Sequence, residues 1–238
     1  MKNFKNITLT LIALISLNSC SNDDADAQTA AVNGTTQINF DAKLGTADFA
    51  LNTPFTIAGQ SIQFDAFRYW ISDLKLVNEK NETYSVANSY FLMEETTEIK
   101  VQEGKYTYPA KKREAIDLTA VPSGSYTKII FSVGIDAVHN DNMSLQAGEL
   151  SQLNGMTNVS WMWHTSYIFS ALKGKNLSQL TTVEVPRTMD SPAIPAGTPV
   201  AIAVETGLNA NFRTVEITLP TALVVNNSKT AKLNLNLD

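Results

Sequence analysis

Between residues 139 and 164 the chain concentrates the side chains that bind soft metals. The interval holds both histidines, His139 and His164, and three of the six methionines, Met143, Met156 and Met162. It also holds two of the three tryptophans, Trp161 and Trp163. Imidazole nitrogen and thioether sulfur suit copper, and thioether favours Cu(I). If WMWH, residues 161 to 164, lies in a strand, Trp161 and Trp163 share one face while Met162 and His164 share the other. The tryptophans then either pack into a core or present a redox-active aromatic surface. Met162 and His164 stand close together on the opposite face. Plainer roles fit the same residue types. Large aromatics anchor sandwich cores, methionines fill gaps, and either histidine suits a half-buried or surface position without a ligand.

Other chemistries leave no mark. There is no nucleophile elbow, no HExxH, no phosphate-binding glycine loop and no CxxC. Two histidines exclude a three-histidine zinc site, and no spacing of Asp and Glu singles out a glycosidase pair. The chain therefore reads as a binding protein and not an enzyme. Its formal charge is −5. An acidic surface argues against nucleic acid, whose backbone demands Lys and Arg. The basic run Lys111-Lys112-Arg113 reads as a solvated loop.

The elements that must position these residues are strands. TQINFDAKL alternates Ile38, Phe40 and Ala42 with polar neighbours, a period of two. TYSVANSYFL, EAIDLTAV, YTKIIFSVGI, TTVEV, PVAIAVET and FRTVEITL are short and rich in Val, Ile, Thr and aromatics. AKLNLNLD sets Leu233, Leu235 and Leu237 on one face and Asn234 and Asn236 on the other. Turn residues separate the strands at Pro122-Ser123-Gly124-Ser125 and at Pro195-Ala196-Gly197. FRYWISDLKLV mixes periods: Phe67, Ile71 and Leu74 have helical spacing, whereas Leu74 and Leu76 alternate. It reads as a strand with an irregularity near Ser72-Asp73. The fold class is all-β, a β-sandwich of Ig-like, Greek-key type built from many short antiparallel strands.

The first residues speak of location. MKNFKNITLTLIALISLNSC places Lys2 and Lys5 before an apolar stretch from Ile7 to Leu17, the form of a secretory leader. That stretch is shorter than the roughly 20 residues of a membrane span. Its LNSC ending resembles the bacterial lipobox, which implies cleavage before Cys20 and lipid attachment to it. Cys20 is the sole cysteine, so the mature protein has no disulfide and depends on its core. Losing Lys2 and Lys5 with the leader takes the formal charge from −5 to −7. Residues 20–36 are polar and acidic, too poor in large apolar side chains to fold, and read as a tether. Asp23, Asp24 and Asp26 resemble the acidic export signal of Bacteroidetes surface lipoproteins. The sandwich domain is assigned to residues 37–238.

Three segments, in order, resemble the copper-binding MbnP-like domain, known from periplasmic proteins associated with methanobactin and from many Bacteroidetes lipoproteins. They are FRYWISDLKLV (67–77), FSVGIDAVHN (131–140) and GMTNVSWMWHTSYIFSALKG (155–174). The resemblance implies a secreted copper-binding β-sandwich. It also implies that Trp161 or Trp163 is oxidised to kynurenine by a partner di-haem peroxidase of the MauG type, the protein being substrate and copper binder. The chain departs from the family pattern at Ser166-Tyr167, where Gly-Tyr is usual. LTTVEVPRTMDSP (180–192) also lacks the histidine that many members carry there.

Two functions follow as expectations. One is a lipid-anchored copper protein of the periplasm or cell surface, with His139, His164, Met162 and Met143 as candidate ligands. The other is a metal-free interaction or carbohydrate-binding module of a cell-surface assembly. The leader makes the first prediction: Cys20→Ser should release the protein from the membrane fraction or block its processing. Fractionation and intact mass check this, and unchanged membrane attachment would contradict it.

Overall fold

Strict alternation sets the first strand. In β1 (Asn33–Leu44), Thr36, Ile38, Phe40 and Ala42 are buried, whereas Gln37, Asn39 and Asp41 are only partly so. The computed structural model describes residues 32–101, 104–158, 166–184 and 193–238. β2 (Ala47–Asp48) folds back on β1. β3 (Pro54–Ile57) pairs with β4 (Gln60–Asn78), which also pairs with β5 (Thr83–Ser85) and β6 (Tyr90–Thr96). β7 (Ile99–Val101) and β8 (Tyr106–Tyr108) form a ribbon of their own, and β9 (Lys111–Arg113) pairs with β6. β10 (Ala115–Pro122) and β11 (Gly124–Val133) precede the single turn of helix α1 (Ala137–Asn140). β12 (Thr157–Asn158), β13 (Ser166–Leu180), β14 (Pro199–Gly207), β15 (Arg213–Val225) and β16 (Ala231–Leu237) complete the described elements.

Two main sheets result. β10, β1 and β16 form the smaller, and the larger runs β12-β13-β4-β11-β15 with further strands at its margins. Their facing sides share one core. Ile38, Phe40, Ile116 and Leu118 come from the small sheet, and Ile71, Leu76, Ile129 and Phe131 from the large one. Phe40 meets Phe131 edge-to-face across the gap, ring centroids 5.3 Å apart. The protein is a β-sandwich, as alternation implied. One pairing departs from the antiparallel expectation. β16 runs parallel to β1, with Ile38 opposite Leu233 and Phe40 opposite Leu235, so the first and last strands lie side by side.

The mixed period of FRYWISDLKLV has a structural cause. Asp73 has φ 50°, and the β4–β11 register slips between the Ile130–Lys75 and Ser132–Ser72 pairs. This is a β-bulge, one extra residue that reverses the facing of everything after it. Tyr69 and Ile71 point to the inter-sheet core before the bulge, and Leu74 and Leu76 do so after it. Two strand phases joined at a bulge imitate helical spacing.

β4 is buried on both faces. Its outer side carries Arg68, Trp70 and Ser72, with exposures of 2%, 0% and 1%. Ile135, Met143, Leu150 and Met156, from the segment after β11, pack over Trp70 with Leu92 and Phe169. Arg68 is matched by Glu94 on β6. Its Nε and Nη2 donate to Glu94 Oε2 at 3.0 and 2.8 Å, and Nη2 also donates to the Asn154 carbonyl at 2.7 Å. Glu94 Oε1 accepts from the Tyr108 hydroxyl at 2.6 Å and lies 3.1 Å from Lys111 Nζ. The Tyr108 ring lies under the guanidinium, 4.8 Å from Cζ to centroid.

Other expectations need correction. TYSVANSYFL is two strands, β5 and β6, broken by a turn before Ser89, whose hydroxyl accepts from Leu74 N at 3.0 Å. Thr181–Glu184 is not strand. Thr181 instead donates its hydroxyl to Pro195 O at 2.8 Å. The run 111–113 is solvent-facing at Lys111 and Lys112 but is strand β9, not a loop, because it pairs with β6, and its side chains reach Glu94, Glu95 and Glu149. β1 begins at Asn33, inside the segment read as tether, because Asn33 and Gly34 find partners in Pro122 and Val121.

The buried pair generates a prediction. Arg68→Leu strands the Glu94 carboxylate and should cost about 3–5 kcal/mol of unfolding free energy. Lys100→Ala removes only exposed contacts, an ion pair with Glu98 and a hydrogen bond to Thr107 Oγ1, and should stay within about 0.5 kcal/mol. Urea denaturation checks both. A cost below about 1 kcal/mol for Arg68→Leu would contradict the role assigned to the pair.

Candidate functional site

The chain leaves β11 through Val133-Gly134-Ile135-Asp136, and each residue has a physical task. Gly134 has φ +112°, and a Cβ there would meet the Phe169 ring at 2.5 Å. Its N–H donates to Trp70 O at 3.0 Å and its carbonyl accepts from Ser72 Oγ at 2.7 Å, which fixes the exit against β4. Ile135 is fully buried. Asp136 is the N-cap of α1, its Oδ1 accepting from Val138 N at 3.0 Å and His139 N at 3.2 Å.

The cap places the same carboxylate against the His139 ring. His139 Nδ1 lies 3.1 Å from Asp136 Oδ1 and 3.0 Å from Oδ2. Tyr90, the first residue of β6, donates its hydroxyl to Asp136 Oδ2. The Tyr90 oxygen is also 2.9 Å from His139 Nδ1, and the two rings are 4.9 Å apart between centroids. Burial works to raise the Asp136 carboxyl, but hydrogen bonds from Tyr90, His139 and the helix backbone outweigh it and hold it below the ordinary value. Burial, and then the adjacent carboxylate, push the Tyr90 phenol well above its ordinary value, so it keeps its proton. The cluster opens into a cleft of about 500 Å³ whose walls include Ser72, Asp73, Tyr90, Asp136, His139 and Phe212.

Of the candidate ligands, His139 stands in this cleft with its side chain 23% exposed. Met143 lies four residues on but faces inward, 8% exposed, in the apolar cluster around Trp70. Cys20, Trp161, Met162, Trp163 and His164 lie outside the described residues. The strand that follows them is tied to the site. Asn140, fully buried beside His139, accepts from Tyr167 N at 2.9 Å and donates to Asn209 Oδ1 at 2.9 Å. Among the described residues, no three His, Cys, Asp or Glu side chains come together to hold a metal ion.

Sequence reasoning missed Tyr90, Asp136 and Asn140. Asp136 carried a usable signal, an Asp three residues before a His at the head of a short helix. Tyr90 carried none, because its place beside His139 depends on strand order.

The fold and cleft define an all-β sandwich with one histidine held by a carboxylate at a surface opening. The family model of MbnP matches residues 33–238, and the chain belongs to that family. Among solved structures, MbnP from Methylosinus trichosporium is similar at 15% identity and TM-score 0.49, over 85% of this chain and 75% of that one. Comparison with curated proteins gives no match.

The Asn140 bridge can be tested directly. Asn140→Ala leaves the Tyr167 N–H buried without its partner, which should cost about 1–3 kcal/mol and roughly 2–4 °C of Tm per kcal/mol. Amide exchange gives the local readout: Tyr167 should pass from slow to fast. Slow exchange retained in the variant would contradict the bridge.

Proposed function

We propose that the protein is an envelope-anchored copper binder of the MbnP family, holding Cu(I) through His139 and His164 with a methionine thioether. The observation that carries this reading is the Asn140–Tyr167 hydrogen bond. Tyr167 is three positions after His164, and an extended chain covers at most about 11 Å over three steps. Tyr167 is bonded to the neighbour of His139, which supports a reading in which His164 joins His139 at one site.

The donor set fits the metal. Two imidazoles suit the low coordination number of Cu(I), and thioether favours it over harder ions. Met143 is committed to the Trp70 cluster, so Met162 is the thioether this reading favours. Copper, when bound, is cargo held by soft donors. The residues of this chain bind and shield it, with no step of catalysis assigned to them. The LNSC ending further supports a lipid anchor at Cys20, and the family resemblance implies a di-haem partner acting on Trp161 or Trp163.

The test is a competition titration of the purified chain against a chromophoric Cu(I) chelator under reducing conditions. Wild type should bind Cu(I) more tightly than Zn(II). The His139→Ala, His164→Ala double variant should lose at least about tenfold, or ~1.4 kcal/mol. Lys229→Ala, an exposed site, should bind as wild type does. Indistinguishable wild-type and double-variant curves would leave the metal-free interaction module as the better account.

A further inference from the structure

Every described group within hydrogen-bond distance of His139 Nδ1 is an oxygen able to accept. Asp136 presents both carboxylate oxygens, at 3.1 and 3.0 Å. Asp136 Oδ1 already accepts two backbone N–H groups, an arrangement that suits the ionised, acceptor-only form. The third neighbour is the Tyr90 oxygen, at 2.9 Å. Its single proton is given to Asp136 Oδ2, so it can only accept from the ring. A bare nitrogen at Nδ1 would face three oxygens with nothing to bind. The proton therefore belongs on Nδ1, and the lone pair of the neutral ring on Nε2.

We infer that Asp136 and Tyr90 are positioning residues that lock His139 in its Nδ1–H form and thereby present Nε2 to the cleft as the donor atom. The arrangement is economical in parts. One carboxylate caps α1, receives the Tyr90 hydroxyl and fixes the imidazole, so ring orientation and tautomer are set before any ligand arrives. Tyr90 adds a second anchor from β6. A ring held in this way is a better donor than a free one, since its partner fixes the ring and raises its basicity. The link to copper rests on the function proposed above, whereas the tautomer itself does not.

The experiment reads the two separately. The full 15N-labelled chain carrying His164→Ala retains His139 as its one imidazole. Two-bond 1H–15N correlation spectra are recorded metal-free at about pH 8, above the ordinary imidazole pKa of about 6.5. Nδ1 should appear as the protonated nitrogen and Nε2 as the bare one. Asp136→Asn keeps a good helix cap, Asn and Asp being near-equal there, but offers an amide that can donate to the ring. It should shift the population toward the Nε2–H form. Tyr90→Phe should keep Nδ1–H, because the carboxylate remains. In the chain with both histidines, Asp136→Asn should also weaken Cu(I) binding by about 10- to 100-fold, with its Tm near wild type.

A wild-type ring protonated on Nε2, or a tautomer unchanged by Asp136→Asn, would overturn the inference. A tautomer that shifts as expected, with Cu(I) affinity unmoved by either Asp136→Asn or His139→Ala, would uphold the positioning role. That outcome would remove the copper reading alone.

Discussion

The buried Arg68–Glu94 pair is the interaction on which the rest of the structure depends. At 2% and 0% side-chain exposure, neither charge has water to turn to. Such a pair gains little over apolar packing, but losing either partner is expensive. Here the remaining lone pairs and protons are used by Tyr108, Lys111 and the Asn154 carbonyl. The last contact has the widest consequence. It reaches off the large sheet and fastens the far end of the segment that covers β4. Gly155, next along the chain, has φ +74°, and a Cβ there would meet Val101 Cγ1 at 2.9 Å.

The site follows from that cover. A central strand buried on both faces needs a lid over its outer side, and the stretch from Gly134 to Met156 supplies it with Ile135, Met143, Leu150 and Met156. Gly134 fixes where the cover leaves β11, and Arg68 fixes where it returns. His139 lies on the single helical turn near the start, where Asp136 caps the turn and faces the ring at once. Met143 belongs to the underside of the same cover. The segment packs the core on one side and holds His139 at the cleft on the other, so the histidine is held by the same structure that closes the core.

How much could be read in advance varied with the physics involved. β1 and β16 were legible because alternation encodes one buried face, and Ile38, Phe40, Leu233 and Leu235 carry it directly. The bulge at Asp73 was legible as a conflict of periods. The parallel pairing of β1 with β16 was not, since nothing local encodes which strand lies beside which. Lys111-Lys112-Arg113 misled because a basic run suggests a loop, whereas its backbone pairs with β6 while Lys111 and Lys112 still face solvent. At the site, His139 stood out by residue type alone. Its partner Tyr90 sits 49 positions away, and only the folded order of β6 and α1 makes them neighbours. WMWH, which resembles the family's signature strand, lies outside the described residues.

The central claim is that His139, held at Nδ1 by Asp136, gives its Nε2 to copper. Diffraction from crystals of the Cu(I)-loaded protein, collected on both sides of the copper absorption edge, tests it most directly. The account predicts an anomalous peak bonded to His139 Nε2, with Nδ1 still on the Asp136 carboxylate. A peak bonded to Nδ1, a peak remote from His139, or no peak from fully loaded protein would contradict it.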